Sequence, residues 1–502
     1  MLKSKKFKFN KFHYILLAIV LILATIIRIW GLGDKSLWID EIYSYLFISQ
    51  KTFLQSYNYM FTDLSPPIYY LMLYSFAKLF GSSEFILRLP SFIAGVASVV
   101  VIYFLTKKNF NKQIALGATI STGLSPVMLY YSQEARPYSL FALFSIITVS
   151  IWIEIINKIN SEEIDSKTLL KYTVFSLLTI LTHYWGLVLI FFQILYLFIF
   201  AQIKKRKIKN LLFTSAKIFL IAGYFFFCQY YLKAFSSILF NPEIPRVNIN
   251  NLNPFKQIFY ENYVFLLIII VFLLLNAKKI KSFVINEFTE KKLASPLIYL
   301  TYIIILPICV YLILDKNCSY LHPRHLIFTV PVAYILISFI VFSFSQSKKI
   351  IKNIFIFGVS LAFLGIYLFV PQKIENRVFT YYNKPKQEWG ESTKYITDNA
   401  DKNSLILIYG LESYYDYYFE KYNKNTKKLN IIPVLDEDFF NKDTISQKIK
   451  YFRKKYRKIY FYSIAILDIR VSKVKKSMET AKSACSHLKH KNFVNINLYE
   501  CE

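Results

Sequence analysis

The sequence predicts a polytopic α-helical membrane protein: a bundle of about eleven transmembrane helices followed by a small extracytoplasmic α/β domain. Three observations carry that expectation. Of the 502 residues 55% are hydrophobic and only 18% charged. Apolar runs of about 18 or more residues, enough to cross about 30 Å of hydrocarbon, recur from Tyr14 onward. After Pro371 the composition turns polar and rich in Lys and Tyr. A soluble core of this length carries more charge and fewer unbroken apolar runs.

The N-terminus (Lys3, Lys5, Lys6, Lys8 and Lys11 before "YILLAIVLILATIIRIW") imitates a signal peptide, but its apolar run is too long and lacks a small-residue cleavage site, so it reads as a retained first helix. The spans then read as 13–30, 89–106, 113–131, 138–157, 168–182, 185–203, 211–232, 255–276, 296–314, 326–344 and 353–371. Charge decides the one ambiguous segment. Counting "PPIYYLMLYSFAKLF" (Pro66 to Phe80) as a span would send Lys107, Lys108, Lys112 and the "KKRKIK" run at Lys204 to Lys209 to the outer side. Read instead as an interfacial or re-entrant helix, it leaves every later lysine cluster on the N-terminal side, as the bias of basic loops toward the cytoplasm requires.

The predicted organisation is therefore a transmembrane core over 1–371, with a first outer loop over 31–88, and an outer domain over 372–502. The N-terminus is cytoplasmic, and the expected location is the cytoplasmic (inner) membrane. In the tail, "NSLILIYG", "KLNIIPVL" and "KIYFYSIAIL" read as strands and "ESYYDYYFEKY" as a helix.

Composition also excludes some functions. The net charge of +30 is spread over short loop clusters, with no basic face or aromatic reading platform, so nucleic acid is not a partner. The five cysteines show no metal-ligand spacing. Cys228 and Cys309 read as packing residues in apolar runs, and Cys485 and Cys501 would pair if the tail faces an oxidising compartment.

Sorted by this topology, the unusual polar residues fall at one membrane face. Asp40, Glu41 and Asp63 lie in the first outer loop, Glu134 and Arg136 in the second, His183 in the third, and His322, Arg324 and His325 in the fifth. Ionisable groups at that depth are costly and mark function. In "SLWIDEIYSYLFISQ" a short interfacial helix would turn Trp38, Ile42, Tyr45 and Leu46 to the apolar side. Asp40 lies about 200° round from Trp38 and Glu41 about 100° further, so one carboxylate would face the reacting centre while the other orients or balances it. The plain alternative is a helix N-terminus that favours acidic residues.

Plain alternatives exist for the others: a helix cap by Asp63, an ion pair for Glu134 and Arg136, a structural role for the lone His183, and a snorkelling Arg324. Taken together, carboxylates and arginines on one face suit a phosphate-bearing lipid. A carboxylate accepts the proton of an attacking hydroxyl or amine, and the guanidinium groups stabilise charge on a departing phosphate. No Walker loop or Gly-rich cradle is present for a soluble nucleotide.

Six segments in order, "LWIDEIYS", "DLSPPIYYLML", "RLPSFIAGVASVVVIYFLTKK", "SPVMLYYSQEARPYSLFAL", "THYWGLVLIFFQ" and "PRHLIFTVP", resemble the GT-C membrane glycosyltransferases, in the branch related to protein O-mannosyltransferases and the lipid A aminoarabinose transferase. The resemblance covers residues 30–335. It implies a GT-C-like bundle and inverting transfer of a sugar from a polyprenyl-phosphate donor to a lipid, glycan or protein acceptor. It places the catalytic acid at Asp40 with Glu41 beside it, the donor phosphate at Arg136 and Arg324, and sugar or acceptor at Asp63, Glu134, His183 and His325. Some relatives use a divalent metal; here no ligand spacing marks one. The outer sugar-binding β-trefoil of the mannosyltransferases is not recognisable. The competing class is a transporter or flippase for polyprenyl-linked sugars, which would carry charges near the bilayer midplane, where these spans are almost wholly apolar. A membrane scaffold, the third class, would tolerate loss of every acid.

Overall fold

The computed structural model describes residues 2–60, 66–161, 164–206, 209–231, 295–315, 323–344, 349–369, 387–409, 413–422, 429–434, 442–464, 485, 487–493 and 495–501. The chain divides into two compact units. The first comprises residues 1–32, 50–82 and 86–370; the second comprises 33–49, 83–85 and 371–502.

The first unit is helical. Its elements are α1 (Leu2–Ile29), α3 (Phe53–Met60), α4 (Pro67–Phe80), most of α5 (Glu84–Asn109), α6 (Lys112–Gly123), α7 (Pro126–Ser132), α8 (Tyr138–Ser161), α9 (Ser166–Ile180), α10 (Trp185–Ile203), α11 (Lys209–Tyr231), α12 (Pro296–Asp315), a 3-10 turn (Pro323–Leu326), α13 (Thr329–Phe344) and α14 (Lys349–Phe369). Among the described residues, six helices are long and apolar enough to cross a membrane: Phe12–Ile29, Glu84–Asn109, Tyr138–Ile159, Trp185–Ile203, Lys209–Phe227 and Pro296–Leu314.

The expected count of about eleven is not reached among them. The 113–131 segment is two helices bent by 58°, because Pro126 has no N–H to continue the ladder and holds Ser125 in an extended conformation (φ −67°, ψ 122°). The 168–182 segment yields the 15-residue α9, too short at 1.5 Å per residue to cross unaided. The apolar parts of α13 and α14, Thr329–Ser343 and Ile351–Ala362, are also short, and 255–276 lies outside the described residues. The doubtful Pro66 to Phe80 segment is the 14-residue α4.

Buried polar groups pin the bends of the bundle. The guanidinium of Arg28, fully buried, donates to Ala24 O (3.0 Å), Gly123 O (2.7 Å), Thr122 O (3.2 Å) and Ser132 Oγ (3.3 Å), and so satisfies the last carbonyls of α6 at the break. Gln133 does the same for α1, donating to Arg28 O (3.1 Å) and Trp30 O (2.8 Å). Between α9 and α10 the chain turns in four residues. A Cβ on Gly186 would lie 2.8 Å from Thr179 O and from Ile180 Cα, so only glycine permits this corner. Cys309, expected in packing, is exposed on α12.

The second unit holds α2 (Ile39–Ile48), α15 (Trp389–Asn399), α16 (Ser413–Tyr422), α17 (Lys442–Lys455) and strands β1 (Ser404–Tyr409), β2 (Asn430–Val434), β3 (Lys458–Ile464), β4 (Leu488–Phe493) and β5 (Ile496–Cys501). The sheet order is β2-β1-β3-β5-β4, parallel across β2-β1-β3 and antiparallel beyond. β1 is apolar along its length because both faces are covered. Leu405 and Leu407 pack with Ile459, Phe461 and Ile449 of α17, while on the other face the Tyr462 hydroxyl meets Ser392 Oγ at 2.6 Å and Thr393 Oγ1 at 3.1 Å on α15. Cys501 of β5 forms a disulfide with Cys485.

Candidate functional site

In the first unit the α9–α10 corner delivers His183. The Trp185 N–H donates to His183 Nδ1 (3.2 Å), so Nδ1 is the acceptor nitrogen and Nε2 carries the proton. The ring lies 4.8 Å from Phe141 at an interplanar angle of 21°, 5.7 Å from Tyr138 and 5.2 Å from His325. His325 in turn lies 6.2 Å from Trp185. His183 sits outside the spanning helices, and its pKa is pushed down to about 3, first by burial and then by the charges of Arg324 and Arg136. Its imidazole is therefore neutral at physiological pH, a fixed Nε2–H donor beside two guanidinium groups.

The two arginines are held differently. Arg136 follows α7 in a tight turn, its own N–H donating to Glu134 O (2.8 Å). Its Nη1 donates to the Tyr70 hydroxyl of α4 (3.1 Å), and its carbonyl accepts from Ser91 Oγ (3.0 Å), which also meets the Tyr69 hydroxyl at 2.9 Å. The α4 helix is tied to the same corner, for Ile68 N–H donates to Leu181 O (3.0 Å). Arg324, on the 3-10 turn, lies over the Tyr138 ring with its guanidinium carbon 5.4 Å from the centroid. Glu134, Arg136 and His183 are buried, and Arg324 and His325 half-buried. Two guanidinium groups and an uncharged donor, walled by rings, suit a phosphate oxyanion.

In the second unit Asp40 and Glu41 occupy the first turn of α2, where carboxylates complement the helix dipole. Glu41 is buried, 1% exposed, and its Oε2 accepts from the Trp38 N–H at 3.2 Å, the reach-back of a helix N-terminus. Asp40 is half-buried. The pair thus divides as one capping and one more open carboxylate. The apolar stripe meets protein: Ile42 and Leu46 are buried, and Tyr45 lies 4.6 Å from Tyr417 on α16.

Of the sequence-predicted residues, the fold brings Arg136, His183, Arg324 and His325 together in the first unit, places Asp40 and Glu41 in the second, and seats Glu134 in the Arg136 turn. Asp63 and His322 lie outside the described residues. Sequence reasoning passed over Tyr70, Tyr138, Phe141 and Trp185. Three of these stand within two or three residues of a singled-out residue or a proline pair, so their signal was proximity alone. Among the described residues no group of three or more His, Cys, Asp or Glu is placed to hold a metal ion.

Comparisons with known proteins fall on the family that the motifs resemble. Residues 65–226 match the family described as dolichyl-phosphate-mannose-protein mannosyltransferase, a stretch that includes Arg136 and His183. The fold is similar to that of ArnT from Cupriavidus metallidurans in the apo state, at 12% identity with a TM-score of 0.55, covering 98% of each chain. It is also similar to that of the same protein bound to undecaprenyl phosphate, at 12% identity with a TM-score of 0.50, covering 96% of this chain and 97% of that one. No curated protein sequence matches.

Proposed function

We propose that this chain, with its GT-C likeness, is an integral-membrane glycosyltransferase that moves one sugar from a polyprenyl-phosphate carrier to a lipid, glycan or protein acceptor at the extracytoplasmic face, with inversion. The observation that supports it most is the geometry of the bundle site: Arg136 bonded to the Tyr70 hydroxyl, Arg324 over the Tyr138 ring, and beside that ring a buried His183 whose Nδ1 is taken by the Trp185 N–H. The similarity to an ArnT bound to undecaprenyl phosphate supports a carrier of that class.

In this mechanism Arg136 and Arg324 hold the carrier phosphate and His183 donates through Nε2–H to the phosphate or sugar. Asp40 accepts the proton of the acceptor hydroxyl or amine as that atom attacks the anomeric carbon. The bond from anomeric carbon to phosphate oxygen breaks, and the guanidinium groups stabilise the charge that collects on the leaving polyprenyl phosphate. A single displacement inverts the anomeric centre. Glu134 and His325 serve the sugar or acceptor side, a role that the resemblance also gives Asp63, and residues 372–502 form the outer domain.

A one-compartment assay tests this against the flippase. Purified protein in detergent, given a polyprenyl-phosphate-linked sugar and an envelope extract as acceptor, should release free polyprenyl phosphate and glycosylate the extract. A transporter would leave the donor intact.

A further inference from the structure

The strand of chain leading into α2 is gripped by side chains more than 340 residues away in sequence, all within the second unit. Leu37 N–H donates to the Tyr418 hydroxyl at 2.6 Å. Ile39 N–H donates to Gln387 Oε1 at 2.9 Å, and that oxygen also accepts from Trp389 Nε1 at 2.8 Å. Ser36 Oγ donates to Glu391 Oε2 at 2.6 Å and accepts from Gly390 N–H at 3.0 Å. With Glu41 taking the Trp38 N–H, each amide from Leu37 to Ile39 meets a side chain immediately before Asp40.

The junction is buried and tight. Leu37, Trp389 and Tyr418 are buried, and a Cβ on Gly390 would come within 2.8 Å of Ser36 Oγ and 3.1 Å of Tyr418 Cε1. Glu84, at the start of α5, is tied to the same helix by an ion pair with Lys421. Backbone amides at a helix start are the donors that set where the helix begins and which way its first side chains project. Buried acceptors satisfying three of them in succession leave the first turn little freedom.

We infer that Gln387, Glu391 and Tyr418 are positioning residues for Asp40, so that the sheet-bearing second unit is part of the transfer machinery and does more than receive an acceptor. The inference rests on the reading of Asp40 as the proton acceptor. Gln387 is the sharpest handle because a carboxylate in its place still accepts from both N–H groups, whereas alanine accepts from neither.

The test uses the full chain in detergent. Gln387→Ala and Tyr418→Phe should each lower kcat by about 10-fold or more, since a displacement of about 1 Å at a reacting group costs up to about 100-fold. The donor KM should stay within about twofold, because the displaced helix serves proton acceptance by Asp40 and not the holding of the donor phosphate. Gln387→Glu should restore kcat to within about threefold. A residue acting through Asp40 adds nothing once Asp40 is gone, so Gln387→Ala placed on Asp40→Asn should leave the residual rate unchanged. The inference is overturned by undiminished kcat in both single variants, by a donor KM that rises in step with the fall in kcat, by no rescue from glutamate, or by an equal further loss on the Asp40→Asn background. Full transfer by Asp40→Asn alone would instead remove the reading of Asp40, whatever the Gln387 variants do.

Discussion

In the helix bundle the candidate residues are gripped by their side chains, and in the sheet unit the grip is on the backbone. Arg136 bonds the Tyr70 hydroxyl, Arg324 lies over Tyr138, and His183 is stacked on Phe141 with its Nδ1 taken by Trp185 N–H. Asp40 has its helix held through the amides of Leu37 to Ile39. The difference follows from what each must do. A phosphate site works by fixed charge and fixed donors, so the charged groups themselves are immobilised. A proton acceptor must meet a mobile nucleophile, so a helix fixed through its backbone and a carboxyl that is half-buried rather than sealed serve it better.

The strongest way to break this contrast is to remove a guanidinium. Arg136→Ala and Arg324→Ala should each raise the donor KM by about 10- to 100-fold, the worth of a charge-assisted hydrogen bond. Titrating the rate against donor concentration checks it, and an unchanged KM for Arg324→Ala reduces that residue to a lipid anchor.

Acid should weaken the bundle through His183, which faces Arg136, Arg324 and His325. The imidazole titrates at about 3 when folded against an ordinary value of 6.5. The unfolded chain therefore takes up the proton first, and stability present above 6.5 is lost as pH falls. At pH 5 the expected loss is about 2 kcal/mol. Melting in detergent at pH 7 and pH 5 should show a larger drop for the unaltered protein than for His183→Gln; equal drops would mean that other groups carry it.

A smaller effect separates the two acids. Glu41→Ala should cost about 1 kcal/mol of stability by freeing the Trp38 N–H, while Glu41→Gln, which keeps an acceptor, should transfer sugar within a few-fold of the unaltered protein. Loss of transfer in Glu41→Gln as deep as in Asp40→Asn would mean the pair is assigned the wrong way round. The smallest is Tyr138→Leu. Removing the ring under Arg324 should raise the donor KM about two- to fivefold, a cation–π contact at a half-exposed site.

These contrasts were unevenly legible in the sequence. Arg136, His183, Arg324 and His325 each follow or precede an apolar run, so charge-based topology sorted them to one face, and the fold gathers them. Their aromatic walls were not legible, because an aromatic in an apolar run reads as packing until its neighbours across the bundle are known. The bend at Pro126 was written in "SPVML", yet average hydropathy over 113–131 outweighed one proline. The strands β1, β2 and β3 fall within the three stretches read as strands, since they are apolar and β-branched or aromatic. β4 and β5 were passed over: "LKHKNF" is an exposed edge strand, with no apolar alternation to mark it. Least legible was the grip on α2, because no local pattern links Ser36 to Glu391 or Ile39 to Gln387.

The division of labour is tested most directly by measuring donor binding and sugar transfer in the same preparation of Asp40→Asn. The account predicts that this variant binds the polyprenyl-phosphate sugar as the unaltered protein does and transfers it about 100- to 10,000-fold more slowly, the span typical of a lost general base. Near-normal transfer, or a loss of donor binding equal to the loss of transfer, would contradict it.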